Sequence, residues 1–349
     1  MNFVKKIYAK GILTVLDFGA ESVVVLMAEK KENGSFKIVG AGDAVPHGVE
    51  AGEIINPGDA TEVIVEALKK AERSSGTKIE KIYYNFDDVE TQSVISRGSV
   101  YLSGDGEIRA SDIEEARKVA ERLIGNFEKT ILYSQAVQFV IDDRDTVVNP
   151  IGVFGKKLEV FVHALQARAS HCEAWQKLMN RAQIYKTTAI PSAWSTAYGI
   201  LPKSDRNEKR LIFDLGKDFF NAFIFTNHRI AGYRVLLGPG AGASRNGELE
   251  MNLTKEFISA NPDIQEVLIT GDLAQDSETV LGLGLPSGIP SRVAAPQEIA
   301  KLQYPRYASV AGLLSVADEI ESQMPMLRAE KNILSNVKEK AISFINEYF

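Results

Sequence analysis

Two short sequences in this chain place an aspartate and a glycine at the end of a β-branched run, a pattern suited to holding phosphate. They are Leu13 to Gly19 (LTVLDFG) and Arg210 to Gly216 (RLIFDLG). A glycine in such a turn lets backbone N–H groups approach phosphate oxygens closely. An aspartate beside it can hold Mg²⁺ through water, because this ion keeps part of its hydration shell. The sequence therefore predicts a phosphate clamp in which Asp17 and Asp214 face each other across a cleft.

The candidate nucleotide-binding residues belong to these two turns and to two later glycine sites: Asp17, Gly19, Asp214, Gly216, Lys217, Gly240 and Gly271. Asp17 and Asp214 are the candidate ligands of Mg²⁺, through water. Gly240 lies in GPGAG, a sequence that is more often a plain turn, although its place after the second hairpin favours the cleft. Gly271 follows a strand that would close over the nucleoside. Recurrence of two Asp-x-Gly hairpins by chance is the alternative interpretation.

The elements around the two turns repeat in the same order. The pattern predicts strands at 12–17, 23–27, 36–41 and 81–86 with a helix at 59–75, and then strands at 210–215, 219–225, 230–236 and 266–270 with a helix at 249–259. Between the two copies, an α+β module is predicted with strands at 93–102, 131–142 and 158–165 and a helix at 112–124 that Ser111 would cap. Further helices are predicted at 170–182, 191–199 and 308–320.

The composition excludes several functional classes. With 349 residues, 45% of them hydrophobic and 25% charged, the chain has the size of about two ordinary domains. The single cysteine, Cys172, excludes an internal disulfide framework, and the four histidines show no metal-ligand spacing. A net charge of −6 without a basic stripe argues against nucleic-acid binding. The longest apolar run, Val23 to Ala28, is far shorter than the roughly 20 residues of a membrane-spanning helix.

Several stretches resemble the bacterial cell-division family FtsA, a branch of the actin-like ATPases. LDFGAESVVVLMAE is similar to the first phosphate motif of that family. Val147 to Leu165 (VVNPIGVFGKKLEVFVHAL) is typical of FtsA, and Tyr304 to Leu314 resembles its closing helix. The resemblance implies an actin-like (ribonuclease-H-like) two-domain α/β fold, with ATP and Mg²⁺ as cofactors. It assigns 1–86 plus 164–203 to the first domain, 87–163 to FtsA's inserted α+β subdomain, 204–322 to the second domain, and 323–349 to a linker and an amphipathic helix.

Three features depart from the FtsA pattern near the nucleotide. After the second turn the chain continues KDFF, where FtsA carries more glycine and threonine, although Lys217 could contact phosphate as a point charge. Gly271 is followed by Asp272, whose carboxylate would repel phosphate and could bond a ribose. Between GPGAG and VLITGD there is room for about one helix, whereas FtsA has a larger subdomain there that packs on adenine and docks FtsZ. We therefore expect nucleotide binding to be weak or lost, without efficient ATP hydrolysis.

The chain ends in an amphipathic helical pattern from Glu330 to Phe349. Its candidate membrane-binding residues are Ile333, Leu334, Val337, Ala341, Phe344, Ile345, Tyr348 and Phe349. Members of the FtsA family lay such a helix on the inner membrane surface. The three lysines of this segment are offset by three glutamates, so attraction to anionic lipid would largely cancel. Packing on the body of the protein or on a partner helix is the alternative.

The resemblance to FtsA implies an FtsA-like adaptor that tethers FtsZ-type filaments to the cytoplasmic membrane. The N-terminal sequence is a poor signal peptide, so we expect a cytoplasmic protein, peripheral on the inner face of the membrane. The expected partners are an FtsZ-like tubulin homologue or other division proteins, further copies of the chain in filaments, and the membrane surface. The alternatives are a PilM-like scaffold of a type IV pilus or related envelope machine, and an active actin-like ATPase.

Overall fold

The computed structural model describes residues 11–241, 247–297, 299 and 302–322. The strands are β1 (Ile12–Phe18), β2 (Val23–Lys30), β3 (Phe36–Ala44), β4 (Val49–Glu50), β5 (Glu53–Ile54), β6 (Lys81–Phe86), β7 (Gln92–Tyr101), β8 (Lys129–Ile141), β9 (Asp145–Val147), β10 (Lys157–Arg168), β11 (Lys186–Pro191), β12 (Arg210–Leu215), β13 (Phe219–Thr226), β14 (Arg229–Leu237), β15 (Glu266–Thr270) and β16 (Ser291–Val293). The helices are α1 (Pro57–Ser75), α2 (Ala110–Ile124), α3 (Ala169–Arg181), α4 (Ser192–Ile200), α5 (Gly247–Ala260), α6 (Ser277–Gly282) and α7 at 308–322.

Two five-stranded sheets have the same topology. The first has the order β11-β6-β1-β2-β3, and the second has the order β16-β15-β12-β13-β14. In each sheet the strand that ends in Asp-x-Gly is antiparallel to the next strand and parallel to the strand on its other side. The duplication predicted from the two turns is therefore confirmed. We call the first sheet with α1, α3 and α4 the first half, and the second sheet with α5 to α7 the second half.

Helix α1 shows how local sequence sets an element of the first half. Asn56 caps its start by accepting from the backbone N–H of Gly58, Pro57 is the first helical residue, and Gly76 ends it at φ 70°. Its buried residues lie at helical spacing: Ala60, Val63, Ile64, Ala67, Leu68 and Ala71. The helix packs closely on β3 because Gly42 has no side chain, and a Cβ there would lie 2.0 Å from the Ala67 carbonyl oxygen.

A third sheet, in the order β7-β10-β8-β9, lies between Asp88 and Arg168 in the chain, and we call residues 89–167 the insert. Helix α2 covers one face of this sheet. The helix begins at Ala110 rather than at the predicted 112, so the prediction that Ser111 caps it is wrong. Arg109 occupies the cap position, and its backbone N–H donates to the Asp112 side chain at 2.8 Å. Asp112, three residues after the cap, thus takes the capping-box role at Arg109 that the sequence had suggested for Glu114 at Ser111.

The two ends of the insert are joined where it leaves the first half. The Arg168 guanidinium pairs with the buried Asp88 carboxylate at 2.9 Å, and the Arg168 backbone N–H donates to the same carboxylate. Arg168 also pairs with Glu53 of the short strand β5. A single charge network therefore holds both ends of the insert and β5 together.

One apolar core runs through both halves and the insert. It contains Val15 of the first sheet, Phe223 of the second sheet, Tyr133 of the insert, and residues of α4 and α7. Helices α4 and α7 cross at two glycines. A Cβ on Gly312 would lie 1.8 Å from the Ser195 carbonyl oxygen, and a Cβ on Gly199 would lie 2.0 Å from that of Ala308. The two helix backbones can approach this closely only because both positions are glycine.

Two parts of the predicted organisation need comment. Strand β11 was not expected, and the helix predicted from Pro191 begins at Ser192, immediately after that strand. The predicted amphipathic helix lies outside the described residues, together with all eight membrane-binding candidates. Among the residues that the structure describes, no helix is both long enough and apolar enough to cross a membrane.

Candidate functional site

A cleft of about 1100 Å³ opens between the two halves. All seven candidate nucleotide residues line it: Asp17, Gly19, Asp214, Gly216, Lys217, Gly240 and Gly271. Residues more than 190 positions apart in sequence therefore meet at one site, because each half brings its Asp-x-Gly turn to the same edge of its sheet. Whether they bind a nucleotide there stays a prediction.

The two turns have the same backbone geometry. In the first, the Gly19 N–H donates to the Ser22 carbonyl at 3.1 Å, and in the second, the Gly216 N–H donates to the Phe219 carbonyl at 2.9 Å. Residues 238–241 pack against the second turn, where the Gly240 N–H donates to the Lys217 carbonyl at 2.7 Å. The N–H groups of these three glycines are therefore used within the protein, and a phosphate would have to be bound by other donors of the turns.

The Asp17 carboxylate is bonded at both oxygens. Asn85, in β6, donates to Oδ1 at 3.2 Å, and Ser309, in α7, donates to Oδ2 at 2.7 Å. Asn85 in turn accepts a hydrogen bond from Ser195 of α4 at 2.6 Å. Burial raises the pKa of Asp17, and the bonds from Ser309 and Asn85 oppose that shift. Asp17 is thus held by residues of both halves.

The Asp214 carboxylate has one hydroxyl partner, Thr196 of α4, which donates to Oδ2 at 2.6 Å. Burial raises the pKa of Asp214 to about 6, and the charge of Asp272 adds to this shift. The pKa of Asp272 is itself raised to about 6, mainly by burial. Gly271, which directly precedes Asp272, has φ 95°, and a Cβ there would lie 2.6 Å from Asp214 Oδ1. Only glycine fits this close approach.

Sequence reasoning missed a further buried carboxylate in the cleft, Asp87. It accepts from Ser192 Oγ at 2.6 Å, and its carboxylate also interacts with the Asn221 side chain of β13. Burial, together with the charges of Asp214 and Asp17, raises the pKa of Asp87 to about 7. A signal was present in the sequence, because Asp87 directly follows the apolar strand β6 just as Asp17 ends the apolar strand β1.

Two contacts cross the mouth of the cleft. Glu21 of the first turn forms an ion pair with Lys217 of the second turn. The Phe219 ring lies against Gly52 of the first half, where a Cβ would come within 2.8 Å of the ring. The Gly52 carbonyl also accepts from the indole N–H of Trp175 at 3.1 Å. The turns of the two halves thus touch through side chains.

The residues present fit water-mediated Mg²⁺ better than they fit a polyphosphate. Asp17 and Asp214 flank the cleft as such a site requires. Within the described part of the chain, no group of three carboxylate, histidine or cysteine side chains could hold a metal directly. The side chains that line the cleft include nine carboxylates and two cations, Lys217 and Arg306, and Lys217 is already paired with Glu21. This charge balance opposes the binding of a triphosphate.

Comparisons with known proteins agree with this architecture. A family model described as the SHS2 domain inserted in FtsA matches residues 89–166. The FtsA protein of Pseudomonas aeruginosa is 25% identical over 295 residues, which cover 84% of this chain and 69% of that protein. FtsA of Neisseria meningitidis is 23% identical, with 90% of this chain and 92% of that protein covered. FtsA of Borreliella burgdorferi is 27% identical over 60% of this chain and 51% of that protein.

Among solved structures, a chain of the PilM–PilN type IV pilus biogenesis complex superposes with a TM-score of 0.58 at 14% identity. The superposition covers 89% of this chain and 99% of that chain. This likeness concerns the fold. The insert found between Asp88 and Arg168 coincides with the matched SHS2 domain, and the duplicated sheets have the expected actin-like topology. The chain is therefore similar to the FtsA proteins over most of its length, with an actin-like fold and an insert that matches the SHS2 domain found in FtsA.

Proposed function

We propose that this protein is an FtsA-like adaptor that tethers division filaments to the cytoplasmic face of the membrane, with nucleotide binding weak or lost. The match of residues 89–166 to the FtsA-type SHS2 domain is the observation that carries the proposal. Similarity to FtsA proteins over most of the chain supports it. The protein acts by binding and assembly rather than by catalysis.

The acidic cleft supports the second part of the proposal. Lys217, the cation at the phosphate turn, is engaged by Glu21, and Asp272 adds a carboxylate beside Gly271. A single helix, α5, occupies the chain between GPGAG and β15 within the described residues. Titration with ATP and Mg²⁺ up to millimolar concentration, followed by calorimetry, tests this part. Micromolar affinity would contradict it and would favour an active ATPase.

The amphipathic sequence at 330–349 supports the membrane part. Co-sedimentation with vesicles of bacterial lipid composition should pellet the full chain and leave a chain ending at residue 328 in the supernatant. A matched pair of neighbouring substitutions sharpens the test. Ile345→Glu, on the apolar stripe, should release the protein, and Asn346→Glu, on the polar side, should not. Equal pelleting of the full and shortened chains would overturn the membrane anchor.

A test of the adaptor role combines three components in one reaction: this protein, FtsZ filaments and lipid vesicles. FtsZ filaments should pellet with vesicles in the presence of the full chain and remain unbound when the Ile345→Glu variant replaces it. If the wild-type chain binds the vesicles and FtsZ still fails to pellet, the filament partner is not FtsZ. That result would contradict the tethering proposal without affecting the membrane anchor.

The second candidate is a scaffold of the PilM kind. It is kept because the superposition with the PilM–PilN complex covers 99% of that chain, although this likeness shows the fold alone. Cellular location separates the two candidates. A fluorescent fusion expressed at native level should collect at midcell if the protein is a division adaptor. Polar foci that persist in non-dividing cells would favour the pilus-type scaffold.

A further inference from the structure

The insert is attached to the rest of the molecule at two separate places. Its ends are joined to the first half through Asp88 and Arg168. Its strand β8 also reaches the second half, where the Tyr133 hydroxyl accepts the Ile230 backbone N–H at 3.2 Å. Arg229 adds a bond from its guanidinium to the Ala136 carbonyl at 3.2 Å. Because the insert spans both halves, rotation of one half against the other must either move the insert or break these bonds.

Tyr133 lies at the point where the insert, α4 and β14 meet. The side chain is buried, and its hydroxyl donates to Gln135 at 2.6 Å while it accepts from Ile230. Its ring packs edge-on against Trp194 of α4, with 5.1 Å between the ring centroids. The side chain therefore contacts both halves, and its polar and apolar parts are both engaged.

A chain of contacts leads from this point to the cleft along two routes. Along β14, Tyr233 donates to Asn221 at 2.8 Å in a buried hydrogen bond, and Asn221 interacts with Asp87. Along α4, Ser192 donates to the same Asp87 carboxylate at 2.6 Å, two residues before Trp194. Both routes start beside Tyr133 and end on Asp87. Buried polar networks of this kind have few alternative arrangements, since an unpaired member is costly.

We propose that this closed network couples the position of the insert to the state of the cleft, with Tyr133 as the positioning residue on the insert side. A partner that moves the insert then changes the relative position of the two halves at Asp87. In the reverse direction, a change in the hydrogen bonds of Asp87 moves the insert. The coupling needs no bound nucleotide, because each link is made by the side chains and backbone of this chain.

Amide hydrogen exchange in the full chain tests the coupling in both directions. Tyr133→Phe keeps the ring and removes the acceptor of the Ile230 N–H, so the Ile230 amide should exchange about five-fold faster. Coupling predicts that amides of residues 219–222, two of which (Phe219 and Asn221) line the cleft, also exchange at least two-fold faster. Tyr185→Phe, the same chemical change at an exposed tyrosine, is the control and should change neither set.

The reverse direction starts from the cleft. Ser192→Ala removes one bond to Asp87 and should accelerate exchange at Ile230 at least two-fold, since coupling between two sites is reciprocal. Ser204→Ala is the matched control, because Ser204 makes the same hydroxyl–carboxylate bond, to Asp205 at 2.6 Å, on the exposed surface. Two results together would overturn the proposal. In Tyr133→Phe, faster exchange would be confined to the Ile230 amide, and in Ser192→Ala, the Ile230 amide would exchange at the wild-type rate. If Tyr133→Phe does not fold, the Ser192→Ala result decides alone.

Discussion

The two Asp-x-Gly turns share a backbone and differ in the surroundings of their carboxylates. Each aspartate takes a hydroxyl bond from the helix that follows the other half's last strand. Asp17 of the first half is bonded by Ser309 of α7, and Asp214 of the second half is bonded by Thr196 of α4. Asp17 has a second donor, Asn85, whereas Asp214 faces Asp272 instead.

The comparison shows where a duplicated fold diverges. The strands and turns of the two halves have kept the same order and the same turn-closing hydrogen bond. The partners of the carboxylates have changed, and with them the charge that each side offers to a ligand. The crossed bonding also depends on α4 and α7 lying close together, which requires glycine at both crossing positions.

The largest expected effect comes from separating the crossed helices. Gly312→Ala should lower the free energy of unfolding by about 3 kcal/mol, because its Cβ would meet backbone atoms of α4 that cannot move aside. Helix propensity alone predicts the opposite sign, since alanine is favoured over glycine by about 1 kcal/mol in helices. Chemical denaturation measures the change. Gly288→Ala is the control, because a Cβ there meets no atom within 4 Å. Equal losses in the two variants would contradict the close crossing.

The difference in charge environment between the two turns can be tested through the pH dependence of the free energy of unfolding. Asp214 has a pKa of about 6 in the folded protein, against an ordinary value of 3.8, so the folded state binds more protons between these values. Ionisation of Asp214 therefore lowers the free energy of unfolding as the pH rises from about 4 to about 7. Asp214→Asn should stabilise the protein by about 1 to 3 kcal/mol at pH 7.5 and have little effect at pH 4.

Asp17→Asn serves as the comparison for that experiment. Both oxygens of Asp17 accept hydrogen bonds from side-chain donors, so an amide would place its own N–H₂ group against one of them. The Asp17→Asn substitution should therefore stabilise the protein less at pH 7.5 than Asp214→Asn does. Denaturation curves of both variants and the wild type across this pH range give the two differences. The reverse order would contradict the assigned surroundings of the two carboxylates.

Removing the hydroxyl bonds one at a time gives a smaller effect. Thr196→Val keeps the shape of a buried side chain and leaves Asp214 without its hydroxyl donor, so we expect a loss of about 1 kcal/mol. The pKa of Asp214 should rise further, which carboxyl ¹³C NMR titration measures. Ser309→Ala should raise the pKa of Asp17 less, because Asn85 still donates to it. Equal rises in the two variants would show that Asn85 makes no such contribution.

The ion pair across the mouth of the cleft should matter least for stability. Lys217 and Glu21 are 42% and 43% exposed, and pairs at this exposure contribute about 0 to 1 kcal/mol. Lys217→Met should therefore change the free energy of unfolding by no more than about 1 kcal/mol, and added salt should reduce that change. A loss above about 2 kcal/mol would show that this pair holds the two halves together.

Sequence patterns were sufficient for the parts whose signals are local. The periodicity of α1 and the two Asp-x-Gly turns led to correct elements, and the repetition of the turns led to the cleft. Strand β11 was missed because its six residues stand between two helices and end in Pro191. The roles of Ser309 and Thr196 could not be predicted from their sequence neighbours, since each bonds an aspartate of the other half that only the tertiary packing of α4 and α7 brings near.

The Asp88–Arg168 pair has a consequence for how this architecture changes during evolution. Because the two chain ends of the insert are fixed side by side on the first half, a segment exchanged for it must begin and end at those points. Such a segment must also replace the apolar surface of Tyr133 and the hydrogen bonds that β8 makes with β14. Evolutionary exchange of the insert is therefore constrained at two separate places, at its chain ends and at its contact with the second half.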